Sequence, residues 1–238
     1  MVGILAAIGA AFSWSYACFM WRAQTRNFSA IELNSLKNII AVIIFSPILF
    51  SINWVDHVQE ISILFLSGLI GITIGDSLYI AALTRLGTRK TLTIEALSPV
   101  FANLFGTVLI GEFLSLRTWL GAFIVTCSLI GITRERKSTD ALQGEYSENN
   151  RSGIIYALLS VFCAVLAAIL SRIVLTTSSL SPFQTTEIRL CGAIFCLLPI
   201  TRININFLLN EVNIESKLKI FVATLLGTNI GILLQQTV

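Results

Sequence analysis

The chain has 238 residues, of which 55% are hydrophobic and 12% charged, and its formal net charge at pH 7 is +3. Its mean hydropathy of +0.83 lies far above that of soluble proteins. This composition excludes a soluble globular domain. It predicts an all-α membrane protein, because lipid leaves every backbone polar group to be satisfied inside a helix. We expect the lipid bilayer as its main partner and no nucleic acid, metal or cofactor.

Apolar stretches long enough to cross about 30 Å of hydrocarbon recur along the whole chain. They predict a polytopic helix bundle with eight spans, at about 3–21, 33–52, 61–83, 91–111, 118–133, 153–172, 183–201 and 218–238. The stretch 134–152 is polar and is interpreted as a linker. It separates a first unit, 1–133, with five spans from a second unit, 153–238, with three.

The two units are related by an internal duplication. Residues of 3–22 match those of 153–172 at an offset of 150, and residues of 29–48 match those of 181–200 at an offset of 152. The spacing of Gly71 and Gly75 returns in Gly227 and Gly231, at an offset of 156. The offset grows only through connecting loops, as expected for a duplicated unit with loop insertions.

The basic residues are distributed very unevenly between the connecting loops. Loops after the odd-numbered spans hold twelve Lys and Arg residues, whereas the opposite side holds two, Arg117 and Arg172. The positive-inside rule then places the twelve in the cytoplasm and the N-terminus outside. Because five spans separate the starts of the two units, the second unit enters the membrane from the opposite side. The sequence therefore predicts inverted repeats, an arrangement typical of transporters.

Ionisable residues inside spans are expensive in lipid and are candidates for a substrate or ion pathway. Asp76 lies about eleven residues before a predicted turn at Gly87, and Glu95 lies about eight residues after it. At 1.5 Å per residue these distances correspond to depths of roughly 16 and 12 Å. The two carboxylates are therefore expected to approach each other across the hairpin of spans three and four.

Span four carries a polar and small-residue stripe on one helical arc, which is expected to face protein or water. The stripe includes Thr91, Glu95, Ser98, Pro99 and Asn103. Since Pro99 cannot donate to the carbonyl of Glu95, the pattern predicts an unpaired acceptor beside that carboxylate. A seam between tightly packed helices is the alternative interpretation.

Three further groups of residues leave two interpretations open. Close helix packing is favoured over a hinge or pathway role for Gly71 and Gly75, with Tyr79 one turn on, and for the matching Gly227 and Gly231. Trp14 sits mid-span, either as core filler or as cavity lining. Lys37 and Arg189 occupy matching positions, and we expect them to extend to an interface, with binding of an anionic substrate group or a neighbouring carboxylate as the alternative.

These residues resemble the EamA-like branch of the drug/metabolite transporter superfamily over nearly the whole chain. The resemblance rests on Leu97-Ser-Pro-Val-Phe, Leu109-Ile-Gly-Glu112, Trp119-Leu-Gly121 and Leu129-Ile-Gly131, with Trp14 and the basic residue early in span two. It implies ten helices in two inverted five-helix repeats, a central cavity and alternating access. It also implies export or exchange of small organic metabolites. Here the second copy ends inside its third helix, so about eight of ten helices are present, and members commonly have a cytoplasmic N-terminus.

The leading functional hypothesis is a multi-pass transporter of the cell membrane, in which Asp76 or Glu95 takes a proton or cation. A truncated, transport-inactive product or a helix-packing partner is the alternative, and a homodimer stays open. A membrane enzyme is disfavoured. Thr73-Ile-Gly-Asp76 lacks one glycine of the intramembrane aspartyl-protease motif, and no His-Glu-x-x-His motif occurs.

Overall fold

The computed structural model describes residues 2–110, 115–135, 150–201 and 212–236. Within these ranges all regular structure is helical, which confirms the all-α class. The α-helices are α1 (Val2–Gln24), α2 (Ala30–Leu49), α3 (Val58–Ser67), α4 (Ser77–Glu95), α5 (Ser98–Phe105), α6 (Leu116–Glu135), α7 (Asn150–Thr177), α8 (Pro182–Leu197), α9 (Ile214–Ala223) and α10 (Gly231–Gln236). Three π-helical segments join them: π1 (Gly68–Asp76), π2 (Gly106–Ile110) and π3 (Thr224–Ile230).

The predicted spans agree with these helices to within a few residues at each end. Five helical stretches of the described chain are long and apolar enough to cross a membrane: Gly3–Gln24, Ala30–Leu49, Val58–Glu95, Arg151–Thr177 and Ile214–Gln236. Helix α8 has the right position for a span but only 16 residues. Most of the predicted linker (residues 136–149) and the Gly111-Glu112 end of span four lie outside the described residues.

The predicted turn at Gly87 is confirmed. Gly87 has φ of 77° and ψ of 164° inside α4. This positive-φ conformation is sterically unfavourable for residues with a Cβ but accessible to glycine. The 38-residue stretch Val58–Glu95 therefore folds back on itself, so that spans three and four form a hairpin.

Predicted span four is divided between two helices. Helix α4 ends at Glu95, and a new helix, α5, begins at Ser98 with Pro99 in its first turn. Proline is tolerated there because the first-turn N–H groups have no intrahelical partner. The break places the Glu95 carboxylate beside a helix end instead of in the middle of a helix.

Equivalent helices of the two units begin with the same capping motif. At the start of α2, Ser29 and Glu32 form a reciprocal capping box. At the start of α8, Ser181 and Gln184 form the same box, at the offset of 152 seen in the sequence. Each box satisfies two backbone N–H groups that a helix start leaves without partners.

The π-helical segments π1 and π3 also occupy equivalent positions, since Gly68 and Thr224 are related by the offset of 156. Segment π1 packs on α7 and α8, whereas π3 packs on α1 and α2. The third span of each unit therefore lies against the first two spans of the other unit. This crossed packing is the reason why the units form one bundle.

Pairs of contacts repeat across this crossed packing. A Cβ built on Gly71 would lie 2.5 Å from the Cβ of Ala167, and one on Gly227 would lie 2.6 Å from the Cβ of Ala17. Ala17 and Ala167 are related by the offset of 150. These contacts support the interpretation of Gly71 and Gly227 as sites of close helix packing, because a side chain at either position would overlap its neighbour.

Two hydrogen bonds form a second matched pair. The Thr73 hydroxyl donates to the carbonyl of Ala193 at 3.1 Å, and the Asn229 amide donates to the carbonyl of Ala41 at 3.0 Å. Both donors and both acceptors are related by the repeat offsets. These matched contacts support the division of the chain into duplicated units that we propose.

We predict that Gly71→Ala lowers stability by about 1–3 kcal/mol, because the added methyl group overlaps that of Ala167. Adding Ala167→Gly removes the overlap, so the double variant should be more stable than the sum of the single changes implies. Thermal unfolding of the purified protein in detergent measures this coupling.

Gly121→Ala is the matched control, since nothing lies within 4 Å of a Cβ at that position, and it should unfold at the wild-type temperature. Strict additivity of Gly71→Ala and Ala167→Gly would show that these two helices are not in contact.

Candidate functional site

A cavity of about 380 Å³ lies between the two units. It is lined by residues of α1 (Ala10, Ala11, Trp14, Ser15), π1 (Gly71, Ile72, Asp76), the end of α4 (Leu92, Glu95, Ala96), α7 (Ala164), α8 (Arg189) and α10 (Gly231, Ile232, Gln235). Cavities of this size hold small organic molecules. Most of the lining is apolar, so the few charged side chains determine what can bind.

Asp76 lies on the cavity wall and forms an ion pair with Lys37 of α2. The Lys37 Nζ and the Asp76 Oδ2 are 2.5 Å apart, and the Lys37 side chain is only 1% exposed. The ammonium group also lies 5.4 Å from the ring centroid of Trp21. The expectation that Lys37 extends to an interface is therefore wrong, and its alternative, a neighbouring carboxylate, is what the structure shows.

Glu95 lies on the same cavity, within a small hydrogen-bonded group. The Tyr79 hydroxyl donates to its Oε2 at 2.9 Å, and the Sγ of Cys18 lies 3.1 Å from the same hydroxyl. A tyrosine hydroxyl has one proton, so the Cys18 thiol donates to Tyr79 when Tyr79 donates to Glu95. The indole N–H of Trp14, which also lines the cavity, has no hydrogen-bond partner within the described part of the chain.

A run of aromatic rings in contact extends from the Lys37–Asp76 pair to the Glu95 group. The Trp14 ring packs edge-on against Trp21 at 5.3 Å between centroids, and it lies 5.6 Å from Tyr79. Trp14 is thus both cavity lining and part of the core, so neither interpretation from the sequence excludes the other. Asp76 and Glu95 both line this cavity.

Arg189 also reaches the cavity, from α8, and it is 5% exposed. Its Nε and Nη1 are buried without a hydrogen-bond partner. Like Lys37, it is enclosed by protein, so the expectation that it extends to an interface is wrong.

Of the remaining predicted site residues, Gly231 lines the cavity. The others do not: Ser98, Pro99, Asn103, Gly75 and Gly227. The Ser98 hydroxyl donates to the Glu95 carbonyl at 2.5 Å, so the acceptor that Pro99 was expected to leave unpaired has a partner. Asn103 is buried in α5, and its backbone carbonyl accepts from the Thr107 hydroxyl. Gly75 contacts Cys163 on α7, whereas Gly231 begins α10 on the cavity wall.

Sequence reasoning missed several polar residues that build the site. Ser15 and Gln235 line the cavity. The Asn34 amide donates to the carbonyls of Ile72 and Thr73 at 2.8 and 3.3 Å, within the π-helical segment that carries Asp76. Asn34 and Lys37 lie one turn apart in an apolar span. This spacing of two polar residues was the sequence signal that could have identified Asn34 as part of the site.

Comparison with known proteins assigns the family. The model of the EamA-like transporter family matches residues 1–134, which is more than half of the chain. The chain belongs to the EamA-like transporter family.

Relatives of this EamA-like chain are described as transporters. An "Uncharacterized transporter" of Archaeoglobus fulgidus is 27% identical over 169 residues, covering 70% of this chain and 57% of the relative. "Uncharacterized transporter YwfM" of Bacillus subtilis is 25% identical over 146 residues, covering 59% and 49%. The chain thus spans about half the length of the curated relatives it matches.

A solved structure described as "Crystal structure of protein" shares the fold, with a TM-score of 0.67 and 15% identity. The match covers 98% of this EamA-like chain and 77% of the solved one. The crossed bundle is therefore an architecture that also occurs in an experimentally determined protein.

We predict that Asp76→Asn lowers stability by about 3–5 kcal/mol, because it leaves the Lys37 ammonium buried without its counter-ion. Replacing both partners by apolar residues, Lys37→Met with Asp76→Leu, should cost much less, since no charge is then buried. Unfolding temperatures of the purified variants in one detergent test the difference. A double variant less stable than Asp76→Asn would contradict it.

Proposed function

We propose that this EamA-like chain carries small organic metabolites across the cell membrane by alternating access, as an exporter or exchanger. The observation that supports the proposal most is the cavity formed by both units, with two carboxylates on its wall. Transporters built from inverted repeats bind their substrates between the repeats, near the middle of the membrane.

The crossed packing supplies a surface on which the units can move. Segments π1 and π3 pack through glycines against small residues of the opposite unit. Such seams contain few interlocking side chains, so two packings of similar energy require little rearrangement. A state populated at 1% is only about 2.7 kcal/mol above the dominant one, which makes rocking between two packings energetically ordinary.

Glu95 is the better candidate for the coupling proton or cation. Asp76 already has Lys37 as its counter-ion, whereas the hydrogen-bond donor to Glu95 is the neutral Tyr79 hydroxyl. A carboxylate with neutral partners, open to a cavity, can exchange a proton or a cation without breaking an ion pair. In this proposal Tyr79 orients the carboxylate.

The same geometry argues against an enzyme. An intramembrane aspartyl protease needs a free pair of aspartates, and Asp76 is held by Lys37. The cavity groups instead suit binding and release of an unmodified molecule.

The location and orientation in the cell are part of the proposal. Twelve basic residues in the loops after odd-numbered spans favour the cytoplasmic membrane with the N-terminus outside.

We predict that Glu95→Gln abolishes uptake or efflux but leaves membrane insertion intact, because the amide keeps the shape and loses the exchangeable charge. The measurement is a flux screen of small metabolites with the full-length protein in liposomes. Glu215→Gln is the matched control, since the Glu215 side chain is 66% exposed and far from the cavity lining, and it should transport normally. Unchanged flux in Glu95→Gln would remove Glu95 from the mechanism.

A further inference from the structure

The duplication places two buried cations at equivalent positions, but only one of them has a counter-ion. Lys37 and Arg189 are related by the offset of 152. Lys37 reaches Asp76 of its own unit, and the Arg189 guanidinium lies near Gly71 of the other unit. The partner of Lys37 is Asp76, at the end of π1. The residue equivalent to Asp76, at the offset of 156, is Ile232. The second unit therefore keeps the cation and lacks the carboxylate.

Two of the three guanidinium nitrogens of Arg189 have no hydrogen-bond partner among the described residues. Its Nε and Nη1 have no partner, and no carboxylate oxygen within the described ranges lies in ion-pair distance of it. Its Nη2 points toward Gly71, at 3.5 Å from the position of a Cβ there, on the cavity wall. A buried arginine with free donors is costly unless an acceptor binds to it.

The charges around the cavity favour an anion at this position. Asp76, the carboxylate near Arg189, forms its ion pair with Lys37. Lys37, Arg189 and Asp76 together therefore carry one net positive charge. Glu95, on the same cavity, accepts a hydrogen bond from Tyr79 instead. A ligand with a single negative charge would neutralise this part of the wall, whereas a doubly charged phosphate would leave an excess negative charge.

We infer that Arg189 binds the carboxylate of a small monocarboxylic acid. This carboxylate is the counter-ion of Arg189, as the Asp76 carboxylate is the counter-ion of Lys37. A guanidinium offers two parallel N–H donors that match the two oxygens of a carboxylate. The cavity of about 380 Å³ leaves room for an organic body beside the carboxylate. The inference rests on the proposed function, for which it names the substrate class.

The experiment measures binding to the full-length protein in nanodiscs, by tryptophan fluorescence. The probes are acetate, lactate, benzoate and phenylpropionate, each compared with its primary amide, and inorganic phosphate as the other oxyanion. Trp14 lines the cavity, so Trp14→Phe identifies the part of the signal that arises there. We expect at least one acid to bind about 30-fold or more tightly than its amide and than phosphate, and Arg189→Gln to remove that preference.

Ile232→Asp provides a second variant that does not remove the arginine. The new carboxylate stands where the duplication places a counter-ion, so it should pair with Arg189 and compete with the acid. Ile232→Asn has the same size without the charge, and it should weaken the acid much less than Ile232→Asp does. Unfolding temperatures identify any variant that fails to fold.

Three results would overturn the inference: no acid binds, amides or phosphate bind as tightly as the acids, or Arg189→Gln and Ile232→Asp bind acids like the wild type.

Flux measurements distinguish failure of this inference from failure of the proposed function. Transport that depends on Glu95 with no Arg189-dependent binding contradicts only the inference. Arg189-dependent binding in a protein that transports nothing supports the site and contradicts the transport proposal.

Discussion

The close approach of each third span to the opposite unit is the constraint on which the rest of the structure depends. Gly71 meets Ala167, and Gly227 meets Ala17, at distances that exclude any larger side chain. In lipid, helices gain little from burying apolar surface against each other, so such contacts between small residues and hydrogen bonds to backbone carbonyls hold the bundle. Because the contacts cross between units, the cavity necessarily has walls from both.

The π-helical geometry is linked to this packing. A π-helix changes which backbone groups are paired, and the carbonyls of Ile72 and Thr73 accept from the Asn34 side chain. Asp76 ends the first of these segments and Gly231 follows the other. In π1 and π3 the backbone irregularity thus lies where the chain lines the cavity or packs against the opposite unit, as expected where lipid cannot hydrate it.

The two halves differ most where function is expected. Their capping boxes, glycine contacts and crossed hydrogen bonds match, but the Lys37–Asp76 pair has Arg189 and Ile232 as its counterpart. In one half the cation is neutralised by the protein itself. In the other half the donors of Arg189 remain free on the cavity wall. The cavity therefore has an asymmetric distribution of charge that two identical units would not produce.

Much of the architecture follows from the sequence, because hydrophobic length, offsets and glycine positions report directly on it. The Gly87 turn and the glycine packing are examples. Pattern alone did not find the burial of Lys37, since a long basic side chain near a span end fits both an interface and an ion pair. It also missed the acceptor role of the Glu95 carbonyl toward Ser98, which depends on the helix breaking at that point.

The antiparallel relation of the two units is tested most directly by mapping two equivalent loops. Single cysteines, Arg26→Cys and Ser179→Cys, would be placed in a background without the native cysteines and labelled in intact cells with a membrane-impermeant thiol reagent. The account predicts that Ser179→Cys is labelled from outside and Arg26→Cys only after the cells are opened. Labelling of both positions from the same side would contradict the inverted duplication and the cavity built on it.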